Sequence, residues 1–326
     1  MVKQAWSEEV FEQVRQGIYA ANRCYAEELS PEWQQRVTAR AEMLTPRDPG
    51  KPQAHLNVVL FHVKIPEAAS KVDAPDIRNI DHGNVDYDTL IRLNIQIAQH
   101  TNPRCRVLLI TDNEFLEGEP ETDRLTIRRL DVNGAEPMFE RVWAMAAYAE
   151  SALFDAPTVF LDSDAFLLRP VHNLFSNDFD VGLTHRDIVG QMPINEGVIF
   201  ANTLDKAAVR AVFRAYLASY LAIEASREVA VIYSNVRRWR GGQLSINTIA
   251  KGGQVLSSSL VRGTGGARVA RLPCALYNFS PAKEDEVTPQ MRRRCAVLHL
   301  KGPRKSWIDC LVKVIGSALE EKLYKF

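Results

Sequence analysis

TVFLDSDAFLLRP, running from Thr158 to Pro170, is an apolar run that empties into two aspartates and then turns apolar again. Four successive buried-type residues, Thr158–Leu161, read as a short strand covered on both faces. The segments before it have the same character. LNVVLFHV (Leu56–Val63), Val107–Thr111 and Leu125–Leu130 are further strands without polar alternation. Between them, Asp86–Gln99 supports a helix with Leu90, Leu93 and Ile97 on one face, and Pro137–Leu153 a second helix. Apolar strands separated by helices imply an α/β fold, a mostly parallel sheet with helices on both faces. Such sheets bind ligands in the crevice beyond the carboxyl ends of their strands. Asp162, Ser163 and Asp164 occupy such an end.

Two carboxylates one residue apart repel each other unless something neutralises them, and a divalent cation does so. Oxygen ligands on a strand end suit Mg²⁺ or Mn²⁺, which also bridge the oxygens of a diphosphate. A solvated turn is the plainer alternative, because Asp and Ser are common turn residues. Charge distribution bears on the choice. The totals balance at 40 basic and 40 acidic side chains, but Lys64–Asp180 holds 21 acidic against 11 basic, and Arg227–Lys305 holds 15 basic against 4 acidic. An acidic half facing a basic half suits a cleft for a cation and a polyanion, although two solvated surfaces of opposite sign read equally well.

The 326 residues are 46% hydrophobic and 25% charged, which excludes disordered, collagen-like and rod-like chains. Five scattered cysteines without a CxxC pair argue against a disulfide scaffold and a thiolate zinc site. No signal-peptide core or 18-residue apolar run is present, so a cytoplasmic protein is expected. Residues 1–50 read as an N-terminal helical extension, an appendage made of a helix capped at Ser7 and a second from Ser30-Pro31. TPRDPGKPQ (Thr45–Gln53) is a linker, 54–307 the catalytic domain, and 308–326 a C-terminal amphipathic helix packed on the core. Membrane-surface contact is the second reading of that helix. The Ile65–Val85 loop, with Asp73, Asp76 and Asp81 in it and Asp86 just beyond, reads as a lid or a mobile insertion.

A strand followed by Asp-x-Asp occurs in two enzyme classes. In haloacid-dehalogenase-like phosphatases the first Asp, here Asp162, is a nucleophile on the first strand. In nucleotide-sugar transferases of the GT-A fold the pair follows about 100 residues of alternating structure, as it does here. The later segments add to the second resemblance in order. INEGVIFAN (Ile194–Asn202), GGQLSIN (Gly241–Asn247), LPCALYNF (Leu272–Phe279, read as a strand) and VLHLKGPRKSW (Val297–Trp307) resemble successive motifs of the glycogenin-like and lipopolysaccharide galactosyltransferase-like retaining glycosyltransferases. The closing His-x-x-Gly-x-x-Lys-Pro-Trp motif is matched at His299, Gly302, Lys305 and Trp307, with Ser306 in place of Pro.

This resemblance, spanning Leu56–Trp307, implies a GT-A-like fold and a metal-dependent transferase that moves a sugar from a nucleotide diphosphate sugar, UDP-linked by family default, with retention. It implies Mn²⁺ (or Mg²⁺) on Asp162, Asp164 and His299, with the imidazole tilting the site toward Mn²⁺. Lys305 and Gly302 would meet the diphosphate, Asn195 and Gln243 the donor sugar, and Arg141 and Ser163 the donor side of the site. A lone strand-end His299 is otherwise a core or surface histidine, Arg141 a surface arginine, and Trp307 a packing residue. Glu196 is the one carboxylate in its segment and is kept as a candidate catalytic group. A glycan or glycolipid acceptor is implied. The basic stretches Arg237-Arg238-Trp239-Arg240 and Arg292-Arg293-Arg294 exceed what a diphosphate needs and point to an anionic acceptor, with nucleic acid excluded for want of a binding motif and a peripheral contact at the inner face of the membrane left open. Three departures stand out: Phe61-His62-Val63-Lys64 at the end of the first strand, Gly242 where the pattern has Asp before Gln243, and the Ile65–Val85 insertion. A phosphatase, or a non-catalytic sugar-nucleotide-binding protein, remains the alternative.

Overall fold

In the computed structural model, residues 8–45, 54–66, 85–186, 192–250 and 260–316 are described. Strands β1 (Leu56–His62), β2 (Cys105–Thr111), β3 (Leu125–Arg129) and β4 (Thr158–Leu161) lie in the order β3-β2-β1-β4, each pair parallel. The sheet continues through β7 (Ile194–Ala201), β6 (Val181–His185), β9 (Arg268–Pro273) and β8 (Leu260–Arg262). Pairing is antiparallel at β4–β7, β6–β7 and β8–β9 and parallel at β6–β9. The result is a mixed α/β sheet whose parallel half comes first. The chain runs from β1 to β2 and β3 in one direction, then places β4 on the other side of β1. The β1–β4 border is therefore the switch point at which a crevice opens.

Alternation along the strands divides the core. Val59, Phe61, Leu108, Ile110 and Phe160 face one cluster, and Val58, Leu60, Val107, Leu109, Val159 and Leu161 the other. The first cluster is covered by α2 (Pro31–Leu44), α4 (Pro137–Glu150), α5 (Lys206–Ala225) and α7 (Gly241–Ile249). The second packs on α3 (Tyr87–Thr101), whose N-cap is Asp86. Helix α1 (Glu8–Asn22) meets α6 (Arg227–Ile232) and α7 in a smaller cluster around Tyr233 and Leu244.

The described residues of the N-terminal segment pack against the core. Leu44 is fully buried in the first cluster, and buried Arg40 bonds Glu140 of α4 at 2.7 Å while lying 3.3 Å from the Trp143 ring. An amphipathic stripe shows that a helix has a buried face but not what covers it. A difference lies at LPCALYNF, where β9 stops at Pro273 and Cys274–Tyr277 makes a helical turn, α8. Pro273 has no N–H to carry the ladder further, and the turn places Asn278 where its amide bonds Thr184 of β6 and Asn195 of β7.

A two-stranded sheet pairs β5 (Ala165–Leu167) with β10 (Val297–His299). A short helix, α9 (Met291–Arg294), precedes β10, and α10 (Ile308–Gly316) packs Leu311 and Ile315 against it and α3. Asp73, Asp76 and Asp81, the Ser7 cap, and Leu319 and Leu323 of the tail stripe lie outside the described residues. Among the described residues no helix is long and apolar enough to cross a membrane.

Candidate active site

Two registers bring the acidic pair to its partners. Leu161 faces Val198 across the antiparallel β4–β7 pair, so the Asp162 N–H donates to the Gly197 carbonyl at 2.9 Å. Asn195, Glu196 and Gly197 then pass beside the Asp-Ser-Asp turn. On its other side, His299 faces Ala165 across β10–β5, and the Leu300 N–H donates to the Asp164 carbonyl at 2.9 Å. His299 and Asp162 approach each other across Gly197, which has no side chain to stand between them. A Cβ there would sit 2.3 Å from His299 Cε1 and 2.6 Å from Asp162 Oδ2.

His299 Nε2 lies 2.9 Å from Asp164 Oδ1 and 3.6 Å from Asp162 Oδ2, and one donor atom from each residue falls within 4.8 Å of the others. The other ring nitrogen settles the tautomer. Asn278 donates its amide N–H₂ to Asn195 Oδ1 at 2.7 Å and to Thr184 Oγ1 at 2.8 Å, so its Oδ1 accepts from His299 Nδ1 at 2.8 Å. With the proton on Nδ1, Nε2 presents a lone pair to two carboxylates. Burial pushes His299 below its ordinary range despite Asp164, which keeps the imidazole neutral. Burial also opposes ionisation of Asp164, but the Lys305 ammonium outweighs it and holds its carboxyl well below the usual range. Two carboxylates and one imidazole lone pair converging on one point form a donor set that fits a divalent cation, and Asn278 is the outer partner that orients such an imidazole.

Cationic partners fix the acids. Lys305 Nζ is 2.8 Å from Asp164 Oδ2, and the Asp164 charge raises its pKa against burial. Arg141, on the first turns of α4, is 3% exposed and so is no surface arginine. It bonds Asp162 Oδ1 at 2.9 Å, the Glu196 carbonyl at 2.9 Å, and faces Glu196 Oε2 at 3.4 Å. Burial raises the Glu196 pKa, and the Tyr216 hydroxyl donates to its Oε2 at 2.9 Å. Gly242 makes room for this carboxylate, since a Cβ there would lie 2.2 Å from Glu196 Oε2.

Asn195 and Gln243 line the same cavity, each with part of its amide engaged by the backbone of β7. Asn195 Oδ1 accepts from the Gly197 N–H at 3.1 Å. Gln243 Oε1 accepts from the Glu196 N–H at 3.3 Å, and its amide nitrogen donates to the Ile194 carbonyl. Ser163 is on the wall too, its carbonyl bonded by Asn94 at 3.1 Å. Gly302 has φ +56°, a left-handed conformation that favours glycine. Trp307 packs against the third apolar cluster, with α10.

The cavity holds about 530 Å³ and runs from the acidic pair to the end of β1, where His62 stacks on Tyr87 at 4.7 Å. Burial pushes His62 down to about 4, so the ring is neutral. Lys301 also lines it, pushed down to about 8 by burial and by the neighbouring Arg186. The basic stretch at 237–240 divides. Arg237 is pinned by Glu136 at 2.9 Å and by Glu224, over the Phe139 ring, whereas Trp239 and Arg240 reach the cavity. Arg292, Arg293 and Arg294 sit on α9 and are absent from the cavity wall.

The sequence-derived candidates for metal, donor and sugar all line one cavity, whereas Arg237, Arg238, Arg292, Arg293, Arg294 and Trp307 do not. Asn278, Tyr216, His62, Tyr87 and Lys301 are additions. Asn278 stood inside a motif already quoted, but its partner His299 is a matter of strand pairing. Tyr216 left no signal beyond a helical stripe.

The sequence matches no protein-family model and no curated protein. Solved structures similar to the fold include galactosyltransferase LgtC in complex with donor and acceptor sugar analogs, at 12% identity and TM-score 0.44, covering 79% of this chain and 95% of that one. A glycosyltransferase involved in glycosylation of the major capsid of PBCV-1 matches at 14% identity and TM-score 0.43, covering 78% and 98%. The bifunctional glycosyltransferase WbbM matches at 13% identity and TM-score 0.46, covering 85% of this chain and 52% of that one. Likeness of this degree decides neither activity nor substrate.

Proposed function

We propose that this chain is a glycosyltransferase that moves a sugar from a nucleotide diphosphate sugar, UDP-linked, to a glycan or glycolipid acceptor with retention, using Mn²⁺ (or Mg²⁺). The observation that carries this reading is the convergence of Asp162, Asp164 and a neutral His299 within 4.8 Å at the switch point of the sheet, on a cavity large enough for a nucleotide sugar.

Asp162, Asp164 and His299 would hold the cation, which when bound supplies Lewis-acid stabilisation of the departing diphosphate. Arg141 fixes one oxygen of Asp162, Lys305 one oxygen of Asp164, and Asn278 the imidazole, so the ligands need not reorganise on binding. Gly302 turns the chain so that Lys305 faces the cavity beside the acids. Asn195 and Gln243 bound the wall at which the sugar would lie. His62 and Tyr87 offer a neutral aromatic surface to the base. In the proposed step the acceptor hydroxyl oxygen bonds to the anomeric carbon on the face from which the diphosphate departs. The carbon–oxygen bond to the diphosphate breaks, and a diphosphate oxygen takes the hydroxyl proton. This assigns no nucleophile to the protein, Glu196 included. The enzyme would work in the cytoplasm, at the inner membrane face for a lipid-linked acceptor, and without nucleic acid.

The phosphatase alternative gains no comparable support. Asp162 would have to attack phosphorus, yet one of its oxygens is bonded by Arg141 at 2.9 Å and the other faces His299 at 3.6 Å. A thermal-shift screen of UDP- and GDP-sugars with and without Mn²⁺ tests the proposal, because a ligand of the folded state raises Tm according to its binding free energy. Mn²⁺-dependent shifts that vanish in Asp164→Asn and His299→Ala are expected. No shift with any donor, or a phosphoaspartate trapped at Asp162, would refute it.

A further inference from the structure

The charges on the cavity wall pair off almost completely. Arg141 is bonded to Asp162 and Lys305 to Asp164. Arg240 is an attracting charge on buried Glu196. Those three couples leave two cations on the wall, Lys301 and Arg304. Neither side chain has a hydrogen-bond or ion-pair partner among the described residues. The strongest charged neighbour of Lys301 is Arg186, of the same sign; Asp162 and Asp164 attract Lys301 more weakly and Glu286 attracts Arg304, none of them in an ion pair with it.

Half-buried cations without a hydrogen-bonded or ion-paired partner are costly, and a bound anion lowers that cost. On the reading given above, a divalent cation and the two charges of a nucleotide diphosphate sugar cancel each other. The donor therefore leaves Lys301 and Arg304 as unpaired as before. We propose that Lys301 and Arg304 form an anion subsite for the acceptor, which takes a carboxylate or phosphate carried on its sugar. An ammonium and a guanidinium together suit either group, through a point charge and a planar fork. This inference rests on the proposed glycosyltransferase reading.

The test uses the full chain loaded with Mn²⁺ and UDP, or GDP if only that binds, titrated calorimetrically with glucuronate, glucose 6-phosphate and glucose. Either anionic sugar should bind at least about tenfold more tightly than glucose, and the two arms separate a carboxylate from a phosphate preference. Lys301→Met and Arg304→Met should each erase most of that preference while leaving nucleotide affinity within about twofold, and Lys301→Arg should retain it. Added NaCl should weaken the anionic sugars and not glucose. If the loaded protein shows no preference for anionic sugars, the subsite fails while the transferase reading stands. If the Met variants lose nucleotide instead, the two cations belong to the donor and the subsite also fails. Absence of Mn²⁺-dependent nucleotide binding would remove both.

Discussion

Gly197→Ala places one methyl group where the proposed cation site is tightest. The added Cβ would lie 2.3 Å from His299 Cε1, 2.8 Å from His299 Nδ1 and 2.6 Å from Asp162 Oδ2. Carbon contacts settle near ~3.5 Å, so something must retreat by about 1 Å. His299 is 3% exposed and its Nδ1 is held by Asn278 at 2.8 Å, which leaves the ring little room. Metal bonds tolerate about 0.2 Å, so a displacement of this size removes the imidazole from the donor set. The expected loss of Mn²⁺ affinity is at least about 10- to 100-fold, the scale seen when orienting partners are removed. Overpacking should cost about 1–3 kcal/mol of stability in addition.

Calorimetric Mn²⁺ titration and urea unfolding at one pH read the two effects separately. His299→Ala supplies the control, because deleting the ring deletes two of the three close contacts. Gly197→Ala should therefore cost less in the His299→Ala background, by about 1 kcal/mol or more. Equal costs in both backgrounds, or Mn²⁺ affinity within about threefold of the parent, would refute the argument that Gly197 is glycine to admit the imidazole.

His62 should stay neutral until about pH 4 by NMR. Its folded pKa is depressed, so its stability contribution is present above the unfolded value of 6.5 and is lost as pH falls toward 4, about 3 kcal/mol in total, and His62→Phe should abolish that part of the acid loss. Asp180 accepts from the Arg268 guanidinium at 2.6 Å and from its backbone N–H at 2.8 Å, which hold its carboxyl below 3.8 against burial. Asp180→Asn should lose about 2–3 kcal/mol in urea at pH 7, a deficit that shrinks as pH falls through the lowered pKa and the parent carboxylate protonates. Asn278→Ala should weaken Mn²⁺ binding by about 10- to 100-fold through loss of the Nδ1 acceptor, and an unchanged affinity would dismiss the tautomer argument. Gly242→Asp should destabilise the chain by about 1–3 kcal/mol against Glu196, and Glu196→Ala should relieve it.

What the sequence disclosed follows from which forces leave a local trace. Strands β1, β2 and β4 are buried on both faces, so their central runs Val58–Phe61, Val107–Ile110 and Val159–Leu161 are apolar without interruption and legible. The acidic pair is legible because it interrupts that pattern at a strand end. Partnership leaves no such trace. Strands β5 and β10 are three residues each, too short for periodicity, yet their register alone sets His299 beside Asp164. Arg40 is an ordinary helical arginine in the sequence, and only the fold joins it to Glu140 and Trp143. The helical turn at Cys274–Tyr277 was hidden for the opposite reason, because its residues suit a strand and Pro273 alone redirects them.

Glu196 and Gly242 show how a motif position can mislead when taken singly. Where the resembled pattern has Asp before Gln243, this chain has glycine, which by itself registers as a lost carboxylate. In three dimensions the space beside Gly242 is filled by Glu196 Oε2, 2.2 Å from where a Cβ would begin. That carboxylate reaches in from β7, the Tyr216 hydroxyl donates to it from α5, and Arg141 faces it from α4. Burial alone would favour its neutral form, so the hydroxyl and the guanidinium are what keep a charge tolerable there. The glycine and the glutamate are thus one feature distributed over two segments. Neither residue is intelligible alone, since the contact that links them is steric exclusion, which appears in a sequence only as a missing side chain.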